Sequence, residues 1–318
     1  MRLPALAAAL LAVLPAGLAA TAARGDAIHA TSVQLDAGDP GRVRVGKLRW
    51  LGGWALASRD RRFGGLSALV DVGGGQFLAL SDTATPTRIT MTAAGPVAHI
   101  LPTLGPPGQA EAPKRERDSE SLTHDPASGR FWAGYEGINA IVRYGPGLAE
   151  EARTRPAAMR DWEINGGPEA LLRLADGRFM VIAEKMRSGP GGRRALMFPG
   201  DPTLPGATPF AFVYRPPDGY DPSDATQLPD GRLLVLNRRV SLMEGFTAVL
   251  TVVDPGAIRR GATVAGTEIA RLAPPLVTDN FEGIAATSTG GRTIITLVSD
   301  DNFLPIERTL LLRFALED

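Results

Sequence analysis

Cysteine is absent from all 318 residues. No disulfide can staple the fold, no thiolate can hold a metal, and no lipid-modified cysteine can anchor the chain. Histidine is scarce as well, confined to His29, His99 and His124. A zinc site, which draws on His and Cys, has little to be built from. Aromatic residues make up 6% of the chain and the formal net charge is zero. A general nucleic-acid binder would show a basic excess, so no nucleic-acid partner is expected. Lysine occurs only at 47, 114 and 185, the other basic residues being Arg, which reads first as coding bias in a GC-rich bacterial genome. The G-x-S-x-G elbow, H-E-x-x-H, the phosphate-binding loop and the dinucleotide fingerprint are all missing. No nucleotide, haem or zinc cofactor is therefore expected.

Beyond residue 23 no stretch approaches the roughly 20 apolar residues of a membrane span. Before it, Arg2 is followed by an Ala, Leu and Val run and then by small residues, the layout of a cleaved signal peptide over 1–23. A membrane anchor is the alternative, but Pro4, Pro15 and the Ala-Thr-Ala-Ala exit favour cleavage. A soluble periplasmic or secreted protein is predicted, with a polar flexible arm over 24–42 and one domain over 43–318.

What the sequence has in plenty is glycine and proline, 37 and 26 residues, as a turn-rich β protein requires. GPEALLRLADGRFMVIAE, 167–184, reads as a β-hairpin turning at Asp176-Gly177, since glycine accepts the positive φ of a tight turn without strain. GGLSALVDVGGGQFLALSD (64–82), DSESLTHDPASGRFWAGYEG (118–137), DPSDATQLPDGRLLVLNRR (221–239) and FEGIAATSTGGRTIITLVSDD (281–301) repeat the layout. One such hairpin would fit any all-β protein. Five, recurring roughly every 50 to 58 residues, have the spacing of propeller blades.

Outer strands follow each hairpin. Residues 88–101 supply two, 138–144 and 161–164 two more with a short helix between them over 147–160, then 195–199 with 209–214, and 247–254 with 263–272. The fifth hairpin has only 309–316 after it, whereas the strand around 48–57 precedes the first hairpin without a blade of its own. If that strand completes the fifth blade, the ring closes and its open edges disappear. The fold class predicted is all-β, a single five-bladed β-propeller; a six-bladed ring is the runner-up. The chain is expected to act as a monomer.

In a propeller, residues just before the first strand of each blade and just after the second crowd one face of the central channel. Here that set is Asp82, Glu120, Glu136, Glu169, Glu184, Asp224, Asn237, Glu282 and Asp300. Converging carboxylates repel one another unless something positive sits among them. Hard oxygen ligands suit Ca²⁺, and less well Mg²⁺, with Glu120, Glu169, Asp224, Asn237, Glu282 and Asp300 as candidate metal ligands. Two other readings stand beside this one: such acids cap backbone amides at turns, or nearby Arg residues neutralise them. Lys185, Arg187, Arg238 and Arg239 lie on adjacent blades and could clamp a phosphate or carboxylate, or simply pair with the acids. Glu120, Glu169 and Glu184 are the candidate catalytic carboxylates. Ser119 and Ser121 have no evident base, and His124 reads as structural.

GGLSAL with FLALSD, DSESLTHDPASGRFWAGYEG, GPEALLRLADGRFMVIAE, DPSDATQLPDGRLLVLNRR and DNFEGIAA with TLVSDDNF together resemble the bacterial family called esterase-like activity of phytase, the phytase-like domain proteins. The likeness runs from about Lys47 to Leu316. It implies an exported propeller and hydrolysis of a small-molecule ester or phosphoester, but it carries over no agreed catalytic residues. A non-catalytic ligand-binding or scaffold propeller is the alternative. The hairpin openings are also similar to those of calcium-dependent lactonase and phosphotriesterase propellers, where acids and Asn from several blades hold a cation. That similarity would point to Glu169, Asp224, Asn237 and Glu282. The first blade departs from it, with Gly64-Gly65-Leu66-Ser67 where an acid would stand. The R-H-G-x-R-x-P signature of histidine acid phosphatases is absent, which excludes that chemistry.

Overall fold

The computed structural model describes residues 27–105 and 112–317; the expected signal peptide and its cleavage site lie outside them. Among the described residues, no helix is long and apolar enough to cross a membrane.

The chain opens with β1 (His29–Val33), β2 (Arg44–Val45) and β3 (Leu48–Ala57), then winds through five antiparallel sheets. Blade 1 is β4 (Leu66–Gly73), β5 (Gln76–Ser81), β6 (Pro86–Thr92) and β7 (Gly95–Ile100). A one-turn helix α1 (Lys114–Arg117) leads into blade 2, formed by β8 (Ser119–Asp125), β9 (Arg130–Tyr135), β10 (Ala140–Tyr144) and β11 (Glu150–Thr154). Blade 3 comprises β12 (Pro168–Arg173), β13 (Phe179–Arg187), β14 (Arg193–Phe198) and β15 (Phe210–Arg215). Blade 4 is β16 (Asp221–Gln227), β17 (Leu233–Ser241), β18 (Gly245–Val253) and β20 (Thr267–Leu272), with β19 (Thr263–Ala265) returning to the edge of blade 3 before β20. Blade 5 is β21 (Asn280–Thr289), β22 (Arg292–Asp300) and β23 (Thr309–Leu316), and its fourth strand is β3.

That last pairing closes the ring. β3 lies antiparallel to β23 from Leu48↔Leu316 to Leu56↔Thr309, so the first and last strands of the propeller share one sheet, as expected from the odd strand at each end. The ring has five blades, and the six-bladed alternative falls away.

The second strand of every hairpin is a continuous apolar run because a blade buries both faces. Along β13, Phe179, Val181 and Ala183 pack toward blade 2 with Trp132 and Ile141. Met180 and Ile182 pack the other way, toward blade 4, with Leu233 and Val235. The core is accordingly divided among the seams between blades: 1–2 around Leu80 and Tyr135, 4–5 around Leu250 and Phe281, 5–1 around Phe77 and Val298. Each large side chain sealed in a seam contributes roughly 1.5–3 kcal/mol. At the hairpin tips the turns need glycine; Gly177 has φ +88°.

Three outer elements differ from expectation. Residues 147–160 hold the strand β11 and a single 3-10 turn instead of a helix, and 161–164 form no strand. β11 is an exposed edge whose Glu150 and Glu151 pair with Arg153, Arg130 and Arg143, so it carries no apolar face to reveal it. The expected strand 263–272 is split, β19 running parallel to β15 in blade 3 and β20 finishing blade 4. Within the segment read as a flexible arm, β1 pairs along β3, and Leu35 is buried in the seam between blades 4 and 5.

Candidate functional site

One irregularity recurs at the same point of all five hairpins. The ladder between the two inner strands skips Ser67, Glu120, Glu169, Ser223 and Glu282 in turn. Each is a β-bulge, a device that bends a strand and re-aims the extra side chain. On the partner strand, the residue that follows the partner of the pre-bulge residue is Asp82, Glu136, Glu184, Arg238 or Asp300. Blades 2, 3 and 5 therefore bring two carboxyls each to the channel mouth, blade 1 brings one, and blade 4 brings a guanidinium.

These groups act on one another electrically. Burial pushes the Glu120 carboxyl well above the usual range, and the charges of Glu282, Glu136 and Asp118 push it further. Glu169 is raised by burial and then by Glu184, Glu120 and Glu136. Burial lifts Glu136 to about 7 against the lowering effect of its hydrogen bond with Glu169. Asp300 rises to about 9 through burial and the neighbouring Glu282. The counter-charges are few. Arg238 Nη2 lies 2.8 Å from Glu184 Oε1 and 3.3 Å from Glu282 Oε1, Lys185 Nζ 2.7 Å from Glu184 Oε2, and Lys114 Nζ 2.8 Å from Asp82 Oδ2. Asn280 Nδ2 donates to Glu282 Oε1 at 2.8 Å.

One corner of the ring has the arrangement of a cation site: carboxylate oxygens of Asp118, Glu120 and Glu136 lie within 4.8 Å of one another. The donor set is all hard oxygen, which fits Ca²⁺ or Mg²⁺ and does not fit zinc. Oδ1 atoms of Asp82 and Asp118 are buried without a hydrogen bond, that of Asp118 having Lys114 Nζ 3.5 Å away. Asp118 lies between α1 and β8 and resembles a turn acid, so its sequence position does not mark it. It comes into the site through the short helix α1, whose Lys114 lies 3.5 Å from Asp118.

Of the six residues singled out as metal ligands, the structure gathers Glu120, Glu169, Glu282 and Asp300 into the ring and leaves Asp224 and Asn237 outside it. Both misses lie in blade 4 and both are shifts of one residue, which in a strand turns a side chain to the other face. Ser223 occupies the bulge, so Asp224 points into the seam. Its Oδ1 accepts from the amide of Ala225 at 2.8 Å and its Oδ2 from that of Ile284 at 2.9 Å, joining blades 4 and 5. Ser121, the residue after the bulge in blade 2, does the same job by donating to Pro168 O at 2.5 Å. Asn237 accepts from the Tyr214 hydroxyl and donates to Val235 O, Val249 O and Thr251 Oγ1, a satisfied network within the core. The ring position is taken by Arg238.

Among the expected anion-binding residues, Arg238 belongs to the ring and Lys185 to its edge. Arg239 faces away, stacked 4.9 Å from the Tyr220 ring centroid and paired with Glu244. Arg187 is exposed near the end of β13, with no ion pair among the described residues. Of the candidate catalytic carboxylates, Glu184 is held by Arg238 and Lys185, whereas Glu169 is buried beside other acids. Ser119 donates to Ser81 O and is structural. His124 is structural too, its ring stacked 4.5 Å from that of Phe131 and its Nδ1 3.2 Å from Asp71 O.

Comparison with solved structures agrees with the propeller. The PQQ-bound aldose sugar dehydrogenase of Streptomyces coelicolor superposes with a TM-score of 0.51 at 16% identity, over 86% of this chain and 99% of that one. A luciferin-regenerating enzyme is a looser likeness, with a TM-score of 0.41 at 11% identity, over 91% and 98% of the two chains. The first likeness, at 16% identity, speaks for the fold alone. No curated protein matches the sequence. The family comparison goes further: residues 61–303 match the phytase-like family, described as esterase-like activity of phytase, and the chain belongs to that family.

Proposed function

We propose that this protein is an exported, metal-assisted hydrolase of a small-molecule ester or phosphoester, acting at the acidic mouth of the channel. The observation that carries the reading is the bulged hairpin, which delivers carboxyls from several blades to one place where the protein's own cations do not match them. Asp118, Glu120 and Glu136 would hold the divalent cation, Ca²⁺ in preference to Mg²⁺. A cation bound there supplies positive charge beside an ester or phosphoryl oxygen. The chain contributes the rest. Glu169, buried and beside Glu136, would in its ionised form take the proton of the attacking water, its raised pKa making that form a stronger base than an ordinary carboxylate. Arg238, fixed by Glu184 and Glu282 and partly exposed, would set its positive charge beside charge that develops on the substrate. Export through a signal peptide at 1–23 would place the enzyme in the periplasm or outside the cell, as a monomer.

The second reading, a ligand-binding propeller without turnover, is favoured by the engagement of Glu184 and Glu282 in ion pairs with Arg238. Both readings are tested on metal-stripped protein assayed against p-nitrophenyl esters and phosphates with and without added Ca²⁺. Ca²⁺-dependent turnover that falls at least about a hundredfold in Glu169→Gln, in line with loss of a general base, supports the hydrolase. Tight Ca²⁺ binding with no turnover on either substrate class supports the binding module.

A further inference from the structure

Beside the acidic mouth lies a cavity of opposite character. Its volume is about 440 Å³, and Arg115, Arg155 and Arg160 line it together with Gly137, Asn139 and Trp162. None of the three arginines makes an ion pair among the described residues; Arg115 Nε donates to Gly137 O at 3.2 Å. All three are exposed side chains, and no Asp or Glu lines the cavity with them, so its lining carries three positive charges and no negative one. Two wall residues have buried polar atoms without partners, Trp162, which is 3% exposed, at its indole Nε1–H and Asn139 at its Oδ1. Leaving such a group unsatisfied costs roughly 1–3 kcal/mol. The cavity and the carboxylate cluster share a wall, because the 3-10 turn Glu136–Ile138 begins with a member of the cluster and continues as cavity lining.

We infer that this cavity is a second subsite that binds an oxyanion, a phosphate group in preference to a carboxylate. In that role it would hold a non-reacting anionic group of a substrate whose ester lies at the channel mouth. Guanidinium forks match the paired oxygens of phosphate and carboxylate, and several of them around one cavity suit the larger charge of phosphate. The anchoring role rests on the hydrolase reading, whereas anion binding itself does not.

The test titrates metal-stripped full-length protein with inorganic phosphate and, separately, with acetate, by calorimetry with no chelator present. Saturable phosphate binding should weaken about tenfold or more in Arg155→Ala/Arg160→Ala, as loss of charge-assisted forks requires. Arg155→Lys/Arg160→Lys should keep part of it, and Arg59→Ala, an exposed arginine elsewhere, all of it. Saturable acetate binding with the same dependence on Arg155 and Arg160 would assign the site to carboxylates. Absence of saturable binding by either anion, or binding unmoved in the double alanine variant, would overturn the inference. A kinetic arm separates the two claims. If the hydrolase reading holds, the double variant raises KM for esters bearing a second phosphate and leaves uncharged esters unchanged. Anion binding without any turnover would instead defeat the hydrolase and leave the subsite standing.

Discussion

Arg238 and Glu184 meet across the seam between blades 3 and 4, Nη2 to Oε1 at 2.8 Å. The same guanidinium lies 3.3 Å from Glu282 of blade 5, so one side chain ties three blades together at the channel mouth. Its pKa is raised: desolvation opposes the charge, but Glu282, Glu184 and Glu169 more than offset it.

Arg238→Met would leave those acids facing one another. Removing one partner of a buried ion pair costs about 3–5 kcal/mol, and the partial exposure of Arg238 brings the expected loss to about 2–4 kcal/mol in metal-free protein. Added Ca²⁺ should recover part of it. Urea unfolding with and without Ca²⁺ measures both, and an unchanged midpoint would contradict the assigned role.

Acid should stabilise the metal-free protein. Glu136 titrates at about 7 in the fold against 4.5 when unperturbed, and Asp300 at about 9 against 3.8. Between those values the folded state holds more protons than the unfolded state, so stability falls as pH rises. The melting temperature should therefore drop steadily from pH 5 to pH 9, by the equivalent of a few kcal/mol. Saturating Ca²⁺ should flatten the slope, because the cation takes the place of the protons. A melting temperature that climbs with pH over this range would show that these carboxyls are not crowded together.

Ring closure depends on close contact between blades 5 and 1. A Cβ on Gly283 would sit 2.9 Å from the backbone of Ala68 and Leu69 and 2.6 Å from Val298 Cγ1. Backbone cannot yield as a flexible side chain can, so Gly283→Ala should cost about 1–3 kcal/mol or more. The control Gly177→Ala sits at an open hairpin tip with nothing near its Cβ, and its cost is one of backbone conformation alone. Thermal melts of the two variants compare a seam with a turn; equal losses would argue against tight closure.

The repeats were legible because their signals are local: glycine at the turn and an apolar run with both faces buried. The odd strand at each end then implied the closure of β3 on β23. Outer strands such as β11 were hidden because charged edges have no apolar period. Asp224 and Asn237 were misplaced for a subtler reason. Residue type alone points to the acid, but a bulge changes register by one residue, and Ser223 rather than Asp224 fills it. A signal was present in FLALSD, FWAGYE, FMVIAE and LLVLNR, where the ring residue follows five strand residues that begin at Phe or Leu. Counting along the last of these gives Arg238. The basic cavity was beyond reach, since Arg115 comes from the one-turn helix α1 and Arg155 and Arg160 from the segment after β11, with no motif to join them.

In the proposed site a cation is gathered by the carboxyls at the bulged end of the blade 2 hairpin, and not by Asp224, which is turned into the seam. Calorimetric Ca²⁺ titration of metal-stripped wild type, Glu120→Gln, Glu136→Gln and Asp224→Asn tests it most directly. Wild type should bind Ca²⁺ saturably. Glu120→Gln and Glu136→Gln should each weaken binding about tenfold or more, as loss of one charged ligand from a hard-oxygen site implies. Asp224→Asn should keep wild-type affinity while losing roughly 1–3 kcal/mol of stability through its backbone latch. Failure of wild type to bind Ca²⁺, or loss of affinity in Asp224→Asn equal to that in Glu120→Gln, would contradict the account.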